Sequence, residues 1–232
     1  MKTIKSAFTA LAILLMGALL PSCNTNSGDE GVQTLLALVT FQSVSDNGSV
    51  FTYRVGPYTP EITLTSTYKL STDRVKVGDR CLIQYRIMDG RDANTSGPIQ
   101  LDATGQVLNG RILTGNKDDY ADWASEDVII NTAWVSGPWL NLYVTANMLK
   151  EPKTFKIVAD ETTMTTETPV LHLIYESDDA LGSALSAYAS INIDEIWSDS
   201  SYKNFKLIYK DTKQMGFSEI EFQLREGFQP AN

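Results

Sequence analysis

Residues 75–87 read VKVGDRCLIQYRI, and this stretch decides the fold class. A Gly-Asp turn signal is followed by a run whose apolar and polar side chains alternate, with Cys81, Ile83 and Tyr85 on one face and Gln84 and Arg86 on the other. A period of two residues is typical of a β-strand that buries one face and leaves the other in water. The stretch therefore predicts a strand that covers a core.

The same alternation recurs along the chain, as in residues 155–157, 205–210 and 220–225, and residues 99–113 are expected to form one further strand. Glycine-containing turn signals separate the runs, and Ser136-Gly137-Pro138 is one example. Outside the first 22 residues no window keeps a helical period, and short helical turns are expected only at 118–127 and 180–188. The sequence predicts an all-β protein.

A change in charge divides the chain near residue 115. Residues 31–113 carry eight basic and seven acidic side chains, whereas residues 114–232 carry nine basic and nineteen acidic ones. The lengths and strand numbers fit a small β-barrel over 34–115 and a β-sandwich over 116–232. We therefore expect two domains, of which the second holds almost all of the negative charge.

The amino terminus has the features of a lipoprotein signal. Residues 1–22 contain two lysines and an apolar run of about 13 residues, which is too short to span a bilayer of about 30 Å. They end in Leu20-Pro21-Ser22 before Cys23, which resembles a lipobox, although an ordinary signal peptide is the alternative. Lipidation of Cys23 would anchor the chain to a membrane, with residues 23–33 as a flexible tether. Asn24 stands after Cys23 in place of the aspartate that signals inner-membrane retention in enteric bacteria, so the outer membrane is favoured. Whether the protein faces the periplasm or the outside stays open.

Composition excludes several classes of function. Removal of residues 1–22 leaves 17 basic and 28 acidic side chains, so the mature chain has a net charge of −11. This charge argues against binding to nucleic acid and to anionic lipid surfaces. One histidine and two cysteines cannot build a His-rich metal site, a zinc cage or a disulfide scaffold. No metal and no cofactor are expected.

The residues that could carry catalysis are few. Cys81 alternates with core residues and is expected to be a buried thiol, while the single histidine, His172, lies in the other predicted domain. No nucleophile elbow is present. Acidic pairs occur at Asp118-Asp119, Asp178-Asp179 and Asp194-Glu195, where solvated loop acids are expected over a calcium site or a hydrolase pair. No catalytic residue is predicted.

Four aromatic residues are candidates for ligand binding. Trp134 and Trp139 flank the Ser136-Gly137-Pro138 turn, and Tyr53 and Tyr58 lie in the first domain. For the two tryptophans, one interpretation is an exposed platform that stacks on a sugar ring, and the other is a plug between sheets or between domains. The two tyrosines could provide stacking surfaces for a ligand of the barrel or belong to its core, and the sequence leaves these alternatives open.

Four segments, in this order, resemble NigD-like lipoproteins of Bacteroidetes: 75–85, WVSGPWLNL at 134–142, LHLIY at 171–175 and SINI at 190–193. The resemblance covers essentially the whole mature chain, and its motifs are structural. It implies an OB-like barrel followed by a β-sandwich and little defined biochemistry, since the family is named after a gene near a bacteriocin locus. Pro138 and Cys81 depart from the commoner residues at their positions.

Together these observations predict a noncatalytic cell-envelope lipoprotein that acts as a binding or accessory module for a glycan or a protein partner. A role in bacteriocin immunity would be a special case that rests on the family name. The alternatives are a structural or adhesive envelope protein and a carboxylate-dependent glycan hydrolase.

Overall fold

The computed structural model of the chain describes residues 34–73, 75–147, 154–177, 184–214 and 216–225. The predicted signal peptide, Cys23 and the tether lie outside these ranges, and so do Asp178 and Asp179. Among the described residues, no helix combines the length and the apolar character needed to cross a bilayer.

The first domain is a closed five-stranded barrel. Its strands are β1 (Thr34–Ser45), β2 (Gly48–Tyr53), β3 (Ile62–Ser66), β4 (Arg80–Ile87) and β5 (Gly97–Gly105). They are arranged in the order β1-β2-β3-β5-β4, and β4 pairs in turn with β1. The β3–β5 pair is parallel and the other pairs are antiparallel. This order is that of an OB-like barrel, as the sequence predicts.

Alternation along the strands fills the barrel. In β4, Cys81, Ile83 and Tyr85 are buried in the barrel core. Phe41 and Phe51 are opposite each other on β1 and β2, with their ring centroids 5.7 Å apart. A cross-strand aromatic pair of this kind favours one register of the two strands.

The second domain is built around one eight-stranded sheet. Its elements are β6 (Leu108–Gly115), β7 (Ile129–Ser136), β8 (Trp139–Asn147), β9 (Thr154–Asp160), β10 (Val170–Glu176), β11 (Ala184–Asn192), the short helix α1 (Asp194–Trp197), β12 (Asn204–Asp211) and β13 (Gly216–Gln223). The strand order is β13-β12-β10-β9-β6-β11-β8-β7. An isolated bridge between Val128 and Asp211 brings the two ends together, so the sheet is nearly closed.

Strand β6 joins the two halves of this sheet. Residues 108–111 pair with β11, whereas residues 112–115 pair with β9. The two halves enclose one core that includes Leu140, Leu142, Leu171 and Phe205. The second domain therefore has the two-layered core of the predicted sandwich, with β6 as the strand common to both layers.

Three local predictions differ from the structure. Residues 99–113 were expected to form one strand, but the strand is interrupted at Gln106 and Val107, and β6 pairs only with strands of the second sheet. The barrel strands thus end at Gly105, ten residues before the expected domain end at 115. Residues 184–188 belong to β11 and not to a helical turn, because they pair with β8. Residues 118–127 form irregular turns with left-handed backbone at three positions.

The buried thiol of Cys81 provides a test of the barrel. Cys81 is completely buried and unpaired, and burial raises the pKa of its thiol to about 11. In a Cys23→Ser chain we expect no reaction of native protein with a thiol reagent at pH 8 over a time in which the denatured chain reacts fully, because thiolate is scarce and access is closed. Equally fast reaction of both forms would contradict this assignment.

Candidate functional site

The four predicted aromatic residues lie at different places in the structure. Tyr53 is half-buried in the barrel and donates its hydroxyl to the carbonyl of Ala93 at 3.1 Å; burial raises its pKa. Trp134 is opposite Asn141 in the β7–β8 hairpin, and Trp139 is opposite Ser136. The two tryptophans are therefore offset along the hairpin and do not face each other directly.

Trp139 lies in the contact between the two domains, which we call the seam. The guanidinium carbon of Arg80, at the start of β4, lies 5.3 Å from the centre of the Trp139 ring. This is cation–π geometry. Arg80 also donates to the hydroxyl of Thr40 and to Oδ1 of Asn141, each at 3.3 Å. One side chain of the barrel thus contacts both its own domain and the next.

Further hydrogen bonds at the seam hold the Arg80 backbone and the Asn141 side chain. The Asn109 amide accepts from the Arg80 N–H at 2.7 Å and donates to the Arg80 carbonyl at 2.9 Å. Oδ1 of Asn141 accepts from Ser190 at 2.6 Å, and its amide nitrogen donates to Ser136 at 3.0 Å. Asn141 and Ser190 are completely buried, and Arg80 is 2% exposed. The seam is a buried polar network in which nearly all groups are paired.

Tyr58 lies at a second contact between the domains. Its ring stacks on Trp197 of α1 with the centroids 6.0 Å apart, and Trp197 donates its indole N–H to the carbonyl of Pro57 at 3.0 Å. The N–H of Gly137 donates to the carbonyl of Gly56 at 3.2 Å. Gly137 has a φ of 56°, and a Cβ there would lie 2.7 Å from Cδ of Arg54, so this turn requires glycine. Tyr58 nevertheless remains 52% exposed.

The other predicted chemical groups are separated. Cys81 is in the barrel core, while His172 is on the outward face of β10, away from Leu171 and Leu173 of the second core. The high pKa of Cys81 makes it a poor nucleophile. Among the described residues, no group of three or more His, Cys, Asp or Glu side chains is placed to hold a metal ion.

His172 is covered by residues 116–124, which we call the strap. The Trp123 ring of the strap lies parallel to the His172 imidazole, with centroids 3.9 Å apart and an angle of 4° between the planes. Tyr120 stacks on Trp123 at 5.7 Å and 11°. The strap is therefore fixed to the outer face of the sheet by three stacked rings.

The strap has an unusual backbone. Ala121, Asp122 and Trp123 have φ angles of 49°, 58° and 63°, in the left-handed region that non-glycine residues rarely adopt. Each such residue costs about 1 kcal/mol or more. Asn116 caps the first turn, because its Oδ1 accepts from the N–H groups of Asp118 and Asp119 at 2.9 and 3.2 Å. The ring stack and this cap offset the strain.

Between the strap and strands β9 and β10 lies an open cleft of about 300 Å³. Buried Ile174 forms part of its lining, and Tyr120, Ala121 and Ala124 of the strap form one wall. Among the described residues, its polar lining consists of Asp119, Thr154, Lys156 and Glu176. The Thr154 hydroxyl donates to Glu176 at 3.1 Å. Within the described part of the chain, the Lys156 ammonium makes no ion pair.

Sequence reasoning missed this cleft because its walls come from distant segments. The signals were present: two aromatic residues inside an acidic loop, and a histidine on the polar face of a strand. A periodicity argument says only that His172 faces away from the core. It does not show which loop covers that face.

Comparisons with solved structures place the fold among proteins of Bacteroidetes. A protein of unknown function from Bacteroides vulgatus superposes with a TM-score of 0.67 and 16% identity, covering 86% of this chain and 94% of its own. A candidate lipoprotein of Bacteroides fragilis gives 0.58 and 13%, covering 84% and 99%. A NigD-like immunity protein from Bacteroides caccae gives 0.54 and 14%, covering 81% and 96%. No family model and no curated protein match the sequence. The resemblance to NigD-like lipoproteins is thus confirmed at the level of the fold.

The seam predicts a measurable coupling between the domains. Arg80→Met and Asn141→Leu each remove one partner of the 3.3 Å bond. We expect each change to lower the free energy of unfolding, and the double-mutant cycle to show a coupling energy of about 1–2 kcal/mol. Denaturant unfolding of the four proteins measures it. Strictly additive effects would show that the contact contributes nothing.

The His172 stack predicts a pH dependence of stability. Burial lowers the pKa of His172 below its usual 6.5, and Asp160 opposes this shift. His172 therefore binds a proton more readily in the unfolded chain than in the folded protein. The stability that depends on neutral His172 is complete above pH 6.5 and is lost as the pH falls from there towards the pKa of the folded state. His172→Phe keeps an aromatic ring without titrating. Unfolding measured from about pH 7.5 to 5.5 should show a steeper loss for the wild type; parallel curves would contradict this account.

Proposed function

We propose that this protein is a noncatalytic cell-envelope module that binds a glycan or a protein partner and is anchored by lipid on Cys23. The observation that carries the proposal is the cleft on the second domain, whose aromatic wall is already ordered by the Tyr120–Trp123–His172 stack. A site that is ordered before binding loses less conformational entropy when a ligand arrives.

The placement in the envelope rests on the amino terminus and on the related folds. Residues 20–23 have the lipobox pattern, and one protein of the same fold is named as a candidate lipoprotein. The tether at 23–33 leads directly into the first barrel strand, so the barrel follows the anchor and the cleft belongs to the next domain. The outer membrane is the favoured location because no aspartate follows Cys23.

The interdomain contacts support an accessory role. The buried Arg80 network and the Tyr58–Trp197 stack join the two domains, so the orientation of the cleft is defined relative to the barrel and hence to the start of the tether. The negative charge of residues 114–232 argues against nucleic acid as the partner. A neutral glycan or an envelope protein is therefore the partner that we propose.

A hydrolase is the second candidate because Asp119 and Glu176 line the same cleft from different segments. Glycosidases need two carboxyl groups, one of which must hold a proton near neutral pH. Such an acid is commonly shielded from water, whereas both Asp119 and Glu176 are exposed. The exposure of both acids favours binding without cleavage.

A glycan array and a pull-down from envelope extracts test the proposal. The probe is the mature chain with Cys23→Ser, compared with Tyr120→Ala in the cleft wall and Tyr58→Ala at the domain contact. We expect retention of a ligand by the wild type, a loss of about tenfold or more for Tyr120→Ala, and a small effect of Tyr58→Ala. Absence of any ligand in both screens would refute the binding function, and cleavage of the bound glycan would establish the hydrolase instead.

A further inference from the structure

We infer that the cleft beneath the strap binds a short neutral saccharide of one or two pyranose rings. This inference rests on the proposed binding function and specifies the ligand class of the same site. It is carried by the ordered Tyr120 in the strap wall, the adjacent Ala121 and Ala124, and a polar lining with both donors and acceptors.

The aromatic wall is held in place from behind. Tyr120 stacks on Trp123, which stacks on His172, and His172 is only 8% exposed. Gly115 lies against the Tyr120 ring, because a Cβ on Gly115 would come within 2.6 Å of Cε2 of Tyr120. The C–H face of a pyranose packs on such a ring. An aromatic face that is fixed before binding suits a flat, partly apolar ligand.

The polar lining brings together charges of both signs. Asp119 and Glu176 contribute two carboxylates and Lys156 contributes one ammonium. The carboxylates repel a phosphate or a uronate, and the ammonium of Lys156 offsets part of their attraction for an amine. Sugar hydroxyls both donate and accept, so they can bond to both kinds of group at once. A neutral polyol is the ligand class that this mixture fits.

The size of the cleft limits the length of the ligand. A volume of about 300 Å³ is at the lower end of the range for small-molecule sites. Because the strap covers only one stretch of the sheet, we expect recognition of one or two rings at a chain end or within a chain.

Isothermal titration and NMR titration of the mature Cys23→Ser chain test this inference. The probes are glucose, galactose, N-acetylglucosamine, maltose and lactose, with glucuronate, inorganic phosphate and spermidine as charged competitors. We expect binding of at least one neutral saccharide, with chemical-shift changes at Tyr120, Lys156 and Glu176. None of the charged probes should displace it at equal concentration.

Variants locate the site. Lys156→Met and Glu176→Gln should each weaken the saccharide about fivefold to tenfold, because each removes a charge-assisted hydrogen bond. Tyr120→Phe should lose less affinity for the saccharide than Tyr120→Ala, since phenylalanine keeps the aromatic ring. Lys206→Met is the matched control, because Lys206 lies on β12 and pairs with Glu219 outside the cleft. Far-ultraviolet circular dichroism confirms that every variant is folded.

The outcomes separate this inference from the proposed function. Saccharide binding that the cleft variants do not weaken would overturn the assignment of the site. Capture of an envelope protein without any saccharide would overturn the saccharide while leaving the binding module intact. Displacement by glucuronate, phosphate or spermidine would overturn the neutral ligand class.

Discussion

The guanidinium of Arg80 is buried between two β domains, and among the described residues no carboxylate pairs with it. Removing such a group from water is expensive, and here burial lowers its pKa to about 10. Thr40, Asn141 and the Trp139 ring compensate for the lost water. Nε has no hydrogen-bond partner, so the compensation is incomplete. The relative position of the two domains depends on this arrangement, because any displacement would separate the cation from Asn141 and Trp139, which belong to the other domain.

Chain connectivity explains why the polar network lies at this place. Strand β5 ends the barrel at Gly105 and β6 begins the second sheet at Leu108, so only two residues separate the domains. Asn109 on β6 bonds to the backbone of Arg80 on β4 from this short connection. The same strand then pairs with β11 and with β9, and it thereby connects the seam to both halves of the second sheet.

Sequence reasoning reached the fold class and the barrel because alternation reports which face of a strand is buried. It identified the face of Cys81 and the outward direction of His172 for the same reason. It misplaced β6 because the alternating pattern at 99–113 continues across Gln106 and Val107, where the chain passes from the barrel to the second sheet. A change of pairing partner leaves no mark in the local sequence pattern. For Trp139 it left a ligand platform and a plug between domains both open, since an aromatic residue at a domain contact has the same sequence appearance as one at a binding surface. Sequence patterns could not predict the position of the strap, because the stacking of Trp123 on His172 joins segments about fifty residues apart.

The strap changes how the single histidine should be understood. Rarity of histidine in the sequence argues against catalysis, yet His172 is held in a defined environment. Its imidazole is uncharged at neutral pH because burial disfavours the cation, and a neutral planar ring stacks on Trp123 at van der Waals distance. That contact is what allows three left-handed residues to persist next to one another. The histidine therefore acts through the backbone it stabilises: it holds Trp123, Trp123 holds Tyr120, and Tyr120 shapes the wall of the cleft.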